Sequence, residues 1–129
     1  MKRLIVFCLI FVLLAACGPN EPPFTDNGNP GQIKVIAFYD DNKNGSMDNG
    51  EAAVQAEAII AISQEISCPP ANVPPFVDTD ANGVHEFTDL KPGKYCIALS
   101  NGFNPTTKLT QEVYVSSDAV TEVKFGIAR

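Results

Sequence analysis

Beyond residue 77 the chain is cut into short runs by residues that force turns. Asp80-Ala81-Asn82-Gly83, Lys91-Pro92-Gly93, the stretch Asn101 to Pro105 and Ser116 to Ala119 follow one another closely, so no long helix fits between them. Asn, Asp and Gly tolerate the backbone geometry of a turn, and Pro presets it. Between these turns lie Val84 to Leu90 (VHEFTDL), Lys94 to Leu99 (KYCIAL), Leu109 to Val115 (LTQEVYV) and Val120 to Ile127 (VTEVKFGI). The first and the last two alternate apolar with polar residues, the period of a strand with one buried face. Upstream, Ile33 to Tyr39 (IKVIAFY) is β-branched and aromatic and reads as a strand too. The pattern predicts an all-β sandwich in a single domain. The last two runs are placed to pair through Ser116-Ser117-Asp118-Ala119 as a hairpin.

Two segments read less simply. Ala52 to Ile66 has the Ala, Glu and Gln of a helix but also AIIAI, which favours strand. Cys68 to Phe76, CPPANVPPF, holds four prolines and must be an irregular loop.

The beginning of the chain has a different texture. Met1-Lys2-Arg3 is a short positive start, Leu4 to Leu14 is an unbroken apolar run, and Ala15-Ala16-Cys17 follows. A charged start, a short apolar core and small residues before a cut site describe a secretory signal. The apolar run is eleven residues, whereas a membrane-spanning helix needs about twenty. Leu14-Ala15-Ala16-Cys17 resembles the lipobox of bacterial lipoproteins. That resemblance implies a signal peptide over residues 1–16 and a lipidated Cys17. It makes the membrane a partner through the lipid anchor. Two or more acyl chains anchor stably where one does not. Gly18 stands where an Asp would resemble an inner-membrane retention signal, which favours export to the outer membrane or cell surface. Gly18 to Gly31, GPNEPPFTDNGNPG, lacks apolar periodicity. Residues 17–31 are therefore expected to be a lipidated cysteine and flexible tether, with the folded domain over 32–129.

Charge narrows the partners. The chain carries 9 basic and 15 acidic residues, net −6. Loss of Lys2 and Arg3 with the signal leaves 7 against 15, net −8. Such an acidic chain lacks the basic footprint that nucleic acid requires. It is also repelled by anionic headgroups, so lipid and not charge must do the anchoring. Acidity does suit cation binding.

Of the four cysteines, Cys8 leaves with the signal and Cys17 carries lipid. Cys68 and Cys96 remain in an exported, oxidising setting, where a disulfide is the natural reading. Closing a 28-residue separation would contribute roughly 3 kcal/mol in the chain-entropy account. Two free buried thiols are the alternative. A zinc site would need more than the lone His85 to complete its ligands.

The most informative stretch runs from Asp40 to Glu51, DDNKNGSMDNGE. Oxygen-bearing side chains fall at loop positions 1, 3, 5, 9 and 12, and Gly45 sits at position 6, where the chain must turn sharply. This is the spacing of the twelve-residue calcium loop. Alternate residues of a curled loop point inward, so Asp40, Asn42 and Asn44 can converge on one ion. Ser46 would offer its carbonyl, Asp48 a direct or water-bridged oxygen and Glu51 two oxygens. Calcium is thus the expected cofactor, with affinity in the extracellular range of about 10⁻⁴ to 10⁻³ M. A solvated turn that binds nothing is the bland alternative. A true EF-hand, with Ala52 to Ile66 as its exiting helix, is the structural one, but IKVIAFY makes a poor entering helix. Asp78 and Asp80, with Asn82, could form a second cation site; turn chemistry explains them better.

Two blocks, VIAFYDDNKNGSMDNGEAAV and TDANGVHEFTDLKPGKYCIAL, resemble the SdrD B-like domain of bacterial surface proteins, a relative of Cna B-type and carboxypeptidase regulatory-like domains. The second block has each fixed feature of its family pattern except a tyrosine, which is His85 here. The resemblance covers residues 33 to 127. It implies a prealbumin-like Greek-key β-sandwich of about seven strands, stabilised by calcium, on a cell surface. It also implies a strand within Ala52 to Ile66. Cna B-type domains often carry an internal Lys–Asn bond promoted by a glutamate after the tyrosine of P-G-x-Y. Here CIALSNG follows Tyr95 without an acid, so no such bond is expected.

These readings point to a membrane-anchored, non-enzymatic surface module for structure or adhesion, expected as a monomer. Its ligand would be a surface protein or a glycan. A carbohydrate-binding module of the cell envelope is the alternative, since related sandwiches include starch-binding-like domains. The absence of Trp weighs against it. Catalysis is not expected: His85 has no nucleophilic Ser or Cys motif near it.

Overall fold

The computed structural model describes residues 23–56, 59–64, 67–72 and 74–129. Its strands in chain order are β1 (Gly31–Tyr39), β2 (Ile60–Ser63), β3 (Val84–Leu90), β4 (Gly93–Leu99), β5 (Thr110–Val115) and β6 (Val120–Ile127). They form two three-stranded sheets, ordered β3-β1-β6 and β2-β4-β5. The β-sandwich is as expected, with six strands among the described residues where about seven were anticipated. Isolated bridges at Phe38–Ala53, Ile60–Val77 and Pro105–Ile127 extend the pairing beyond them. The proposed signal and Cys17 lie outside the described residues.

The core follows from alternation. Ile33, Val35 and Ala37 of β1 point inward and are fully buried. Val123, Phe125 and Ile127 of β6 join them from the same sheet, and Tyr95, Ile97 and Leu99 of β4 face them from the other. β4 is covered on both faces, because Cys96 is tied to Cys68 and lies beneath that loop, so its sequence reads as a nearly continuous apolar run. Ala52 to Ile66 contains β2 and no helix among its described residues. Burial decides it: Ile59 and Ile60 are fully buried in the shared core, which outweighs the weak helical preference around them.

The expected β5–β6 hairpin does not form. β6 runs parallel to β1, from Gln32↔Val120 to Tyr39↔Ile127, while β5 pairs antiparallel with β4. The turn between β5 and β6 therefore carries the chain from one sheet to the other. β1 is the central strand of its sheet, and β6 fills the side that β3 leaves open. The β3–β4 turn also changes sheets. It is fixed by the buried Tyr95, whose hydroxyl donates to the Lys91 carbonyl at 2.9 Å.

Residues expected to be tether are partly fastened to the domain. The Asp118 carboxylate accepts from the side-chain amides of Asn27 at 2.9 Å and Asn29 at 3.0 Å. The backbone N–H of Thr25 donates to Ser116 Oγ at 3.1 Å and that of Asn27 to Ser117 Oγ at 3.0 Å. In return the Ser117 and Asp118 N–H groups donate to the carbonyls of Thr25 and Pro30. Residues 24–30 thus form a strap on the β5–β6 turn, and β1 begins at Gly31, one residue before the anticipated boundary.

At the other end of β6, Gly126 permits a close approach. A methyl group there would collide with Thr106 Oγ1 and stand 3.1 Å from Phe38 and 3.2 Å from the Asp40 side chain. Overpacking of this kind costs typically 1–3 kcal/mol. Gly126→Ala is expected to lower unfolding stability by about that amount, measured in urea, and Thr106→Ala in the same chain is expected to restore part of it. The Cys68–Cys96 disulfide, with Cα atoms 5.4 Å apart, closes a 28-residue separation. Its reduction should cost roughly 3 kcal/mol, read from the same unfolding curves with and without dithiothreitol.

Candidate metal centre

The loop from Asp40 to Glu51 leaves the end of β1, and its first residue is its best anchored. Asp40 is fully buried. Its backbone N–H donates to the Ile127 carbonyl of β6 at 3.0 Å. One carboxylate oxygen accepts from the Gly45 N–H at 2.7 Å and the other from the Asn44 N–H at 3.1 Å. A buried carboxylate is costly unless hydrogen-bonded, and the loop folds back to supply those donors. Gly45 makes this possible with φ of 77°, a left-handed conformation that favours glycine.

The next positions converge on Asp48. Its Oδ2 accepts from the side-chain amides of both Asn42 and Asn44 at 2.7 Å. The same two side chains use their Oδ1 atoms to accept the N–H groups of Asn44 at 3.0 Å and Ser46 at 2.7 Å. Glu51 closes the loop differently from expectation. Its two oxygens accept the backbone N–H groups of Asp41 at 3.1 Å and Asp48 at 2.8 Å. Positions 1, 3, 5 and 9 therefore meet in one network, while Glu51 caps the main chain. Among the described residues, no three of His, Cys, Asp and Glu are gathered as a metal-ligand group. The fit to a hard cation rests on the donor set, which is all oxygen apart from the two amide nitrogens now facing Asp48.

Sequence reasoning missed Thr106. Its Oγ1 is buried with no hydrogen bond of sound geometry, yet it faces the Asp40 carboxylate. Burial pushes the Asp40 carboxyl up; the Thr106 hydroxyl and the N–H groups of Gly45, Asn44 and Lys43 outweigh it and hold the group below its ordinary value of 3.8. No local pattern in the sequence announces a partner so far along the chain.

The second candidate site is a turn. Asp80 Oδ1 accepts the N–H groups of Asn82 and Val84, each at 2.8 Å. The Val84 N–H is the main cause holding the Asp80 carboxyl below its usual range. His85 Nδ1 lies 2.7 Å from the Asp78 carbonyl oxygen, and its ring packs 4.6 Å from that of Phe87. These contacts tie β3 to the segment before it.

The sign of the acid response follows. A carboxylate with a depressed folded pKa stabilises the native state above its unfolded value and loses that contribution as pH falls through the folded one. With Asp40 lowered from 3.8, the chelator-treated protein should lose thermal stability as pH drops below about 4. Asp40→Asn should flatten that slope; an unchanged slope would show that Asp40 does not set it.

Comparison with known proteins fits this architecture. The SdrD B-like domain family matches residues 31–125. Colossin-A of Dictyostelium discoideum is 37% identical over 81 residues, covering 57% of this chain and 1% of that protein. Among solved structures, the minor pilin GBS52 of Streptococcus agalactiae superposes with a TM-score of 0.52 at 12% identity, over 79% of this chain and 45% of that one. The Bacillus anthracis TIE protein gives a TM-score of 0.55 at 13% identity, over 78% of this chain and 17% of that one. The group B streptococcus pilus 2b backbone protein gives 0.50 at 18%, over 77% and 41%. The chain thus spans less than half the length of each, and the likeness to the solved structures is one of fold. The matched residues hold the Asp40–Glu51 loop, the Asp80 turn and the Tyr95 corner, and the chain belongs to the SdrD B-like domain family.

Proposed function

We propose that this chain is a non-enzymatic surface module: an exported lipoprotein, anchored to the membrane through Cys17, whose β-sandwich is stabilised by calcium at the Asp40–Glu51 loop. The observation that carries the calcium reading is the convergence of Asn42 and Asn44 on Asp48 Oδ2, at 2.7 Å each, beside a buried Asp40. Two amide groups stand where a divalent ion would satisfy the same carboxylate. Asp40, Asn42, Asn44 and Asp48 would hold the ion through their side chains, Ser46 through its carbonyl and Glu51 once released from its capping bonds. The ion would supply charge neutralisation and cross-link the loop.

Membership of a family of surface-protein domains supports the module reading, and the charged signal-like start ending at Cys17 supports export and lipidation. A structural or adhesive role suits it better than sugar binding. Tyr95 is buried and Tyr39 lies beneath Arg129, whose guanidinium is 4.5 Å from the ring centre. The exposed pair Phe24 and Tyr114 meets edge-on, with ring planes 68° apart, and offers no flat platform on which a sugar would stack.

Calcium that binds the native state alone must raise the melting midpoint. With a dissociation constant near 10⁻⁴ M, 1 mM calcium should add about 1.4 kcal/mol, and each kcal/mol shifts the midpoint by roughly 4–8 °C in a domain of this size. Asp48→Ala should abolish the response. A midpoint that ignores calcium up to the millimolar range would refute the site. Anchoring has its own check in a bacterial host that processes lipoproteins: the wild-type chain should partition into Triton X-114, and Cys17→Ser should remain in the aqueous phase.

A further inference from the structure

The strap places an aromatic pair at the end of the domain where the chain runs toward Cys17. Phe24 and Tyr114 are 51% and 57% exposed, large values for such side chains, and their rings pack edge to face at 6.2 Å. Phe24 does not swing freely, because its neighbour Thr25 is bonded to Ser116 and Ser117 and the next turn is held by Asp118. Tyr114 lies on β5 opposite Lys94, which is paired with Glu112, so the cation beside the ring is already matched by an acid. The result is a fixed apolar projection beside the matched Lys94–Glu112 pair, at an end of the domain where Asp26, Asp89 and Asp118 outnumber Lys91.

The distance to a lipid at Cys17 is short. Residues 17 and 24 are seven Cα steps apart, which fully extended span at most about 25 Å. The calcium loop lies at the far end of β1, a strand of nine residues, roughly 26 Å from its start. The tether keeps the strap end within about 25 Å of the anchor, whereas the loop end lies one strand length further along and is free to face outward. Rings with one apolar body and one wet edge settle at the headgroup boundary, where Tyr is enriched.

We propose that Phe24 and Tyr114 form a membrane-docking toe: in the anchored protein this pair enters the headgroup layer of the same bilayer that holds Cys17, fixing the sandwich upright with its calcium loop outward. The docking is to lipid without a charge requirement, since Asp26 and Asp118 flank the strap and the mature chain is acidic. Anionic headgroups therefore weaken it. The proposal rests on the lipid-anchor reading of Cys17.

The test uses the full mature lipoprotein reconstituted in phosphatidylcholine vesicles whose acyl chains carry bromine near the headgroup. The chain has no Trp, so Phe24→Trp provides a single reporter, and Leu109→Trp, just before the opposite end of β5, provides the control. The F24W protein is expected to lose most of its emission to bromine and the L109W protein little. Adding Tyr114→Ser to F24W should restore emission, as should replacing part of the neutral lipid, at low salt, by phosphatidylglycerol brominated to the same extent. Protein that floats with the vesicles but shows no quenching of F24W overturns the docking and leaves the anchor intact. Protein that fails to float overturns the anchor and the docking together. An F24W signal that answers to added envelope glycan and not to brominated lipid assigns the pair to sugar and overturns the proposal.

Discussion

A buried carboxylate at the end of the central strand organises this domain. Asp40 cannot remain charged inside the protein without donors, and the backbone provides them from two directions. Its carboxylate holds the N–H groups of Asn44 and Gly45, which curls the loop. Its own N–H reaches the Ile127 carbonyl, which joins that loop to β6. The parallel β1–β6 ladder ends at the same place, and Gly126 leaves room there for Phe38 and Thr106 to close in. Shaping the loop and finishing the sandwich are therefore one event, and a cation bound there would act on the sheet as well as on the loop.

What the sequence revealed was local. The bounds of β3 and β6 follow from alternation and adjacent turn residues, and the loop spacing could be read directly from Asp40 to Glu51. β2 was ambiguous because Ala, Glu and Gln favour a helix by small amounts that burial of Ile59 and Ile60 overrides. What could not be read was long-range. The parallel pairing of β6 with β1 competes with a hairpin that the same alternation would serve equally well. The strap depends on Asn27 meeting a residue 91 positions away. Position 12 of the loop carried the right residue, yet Glu51 spends its oxygens on backbone N–H groups, a choice set by the turn and invisible in spacing.

The two ends of the sandwich use the same device for different ends. At one, an aspartate gathers amides from within its own loop; at the other, Asp118 gathers amides from a segment at the far side of the sequence. Asp118 is held below its ordinary carboxylate value by those contacts, from Asn27 first and Asn29 second. Each network converts a run of Asn, Gly and Asp, which composition alone would label as loop, into a part with a definite position.

The strap also moves the edge of the folded unit. A fragment begun at residue 32 would lack the carbonyls of Thr25 and Pro30, and the N–H groups of Ser117 and Asp118 would lose their acceptors. It would also enter the sheet without Gly31, whose Cα pairs with Leu90. Backbone accounting of this kind sets the smallest self-sufficient piece of the chain. By that accounting the piece starts no later than Thr25, inside a stretch whose proline, glycine and asparagine content would invite a cut.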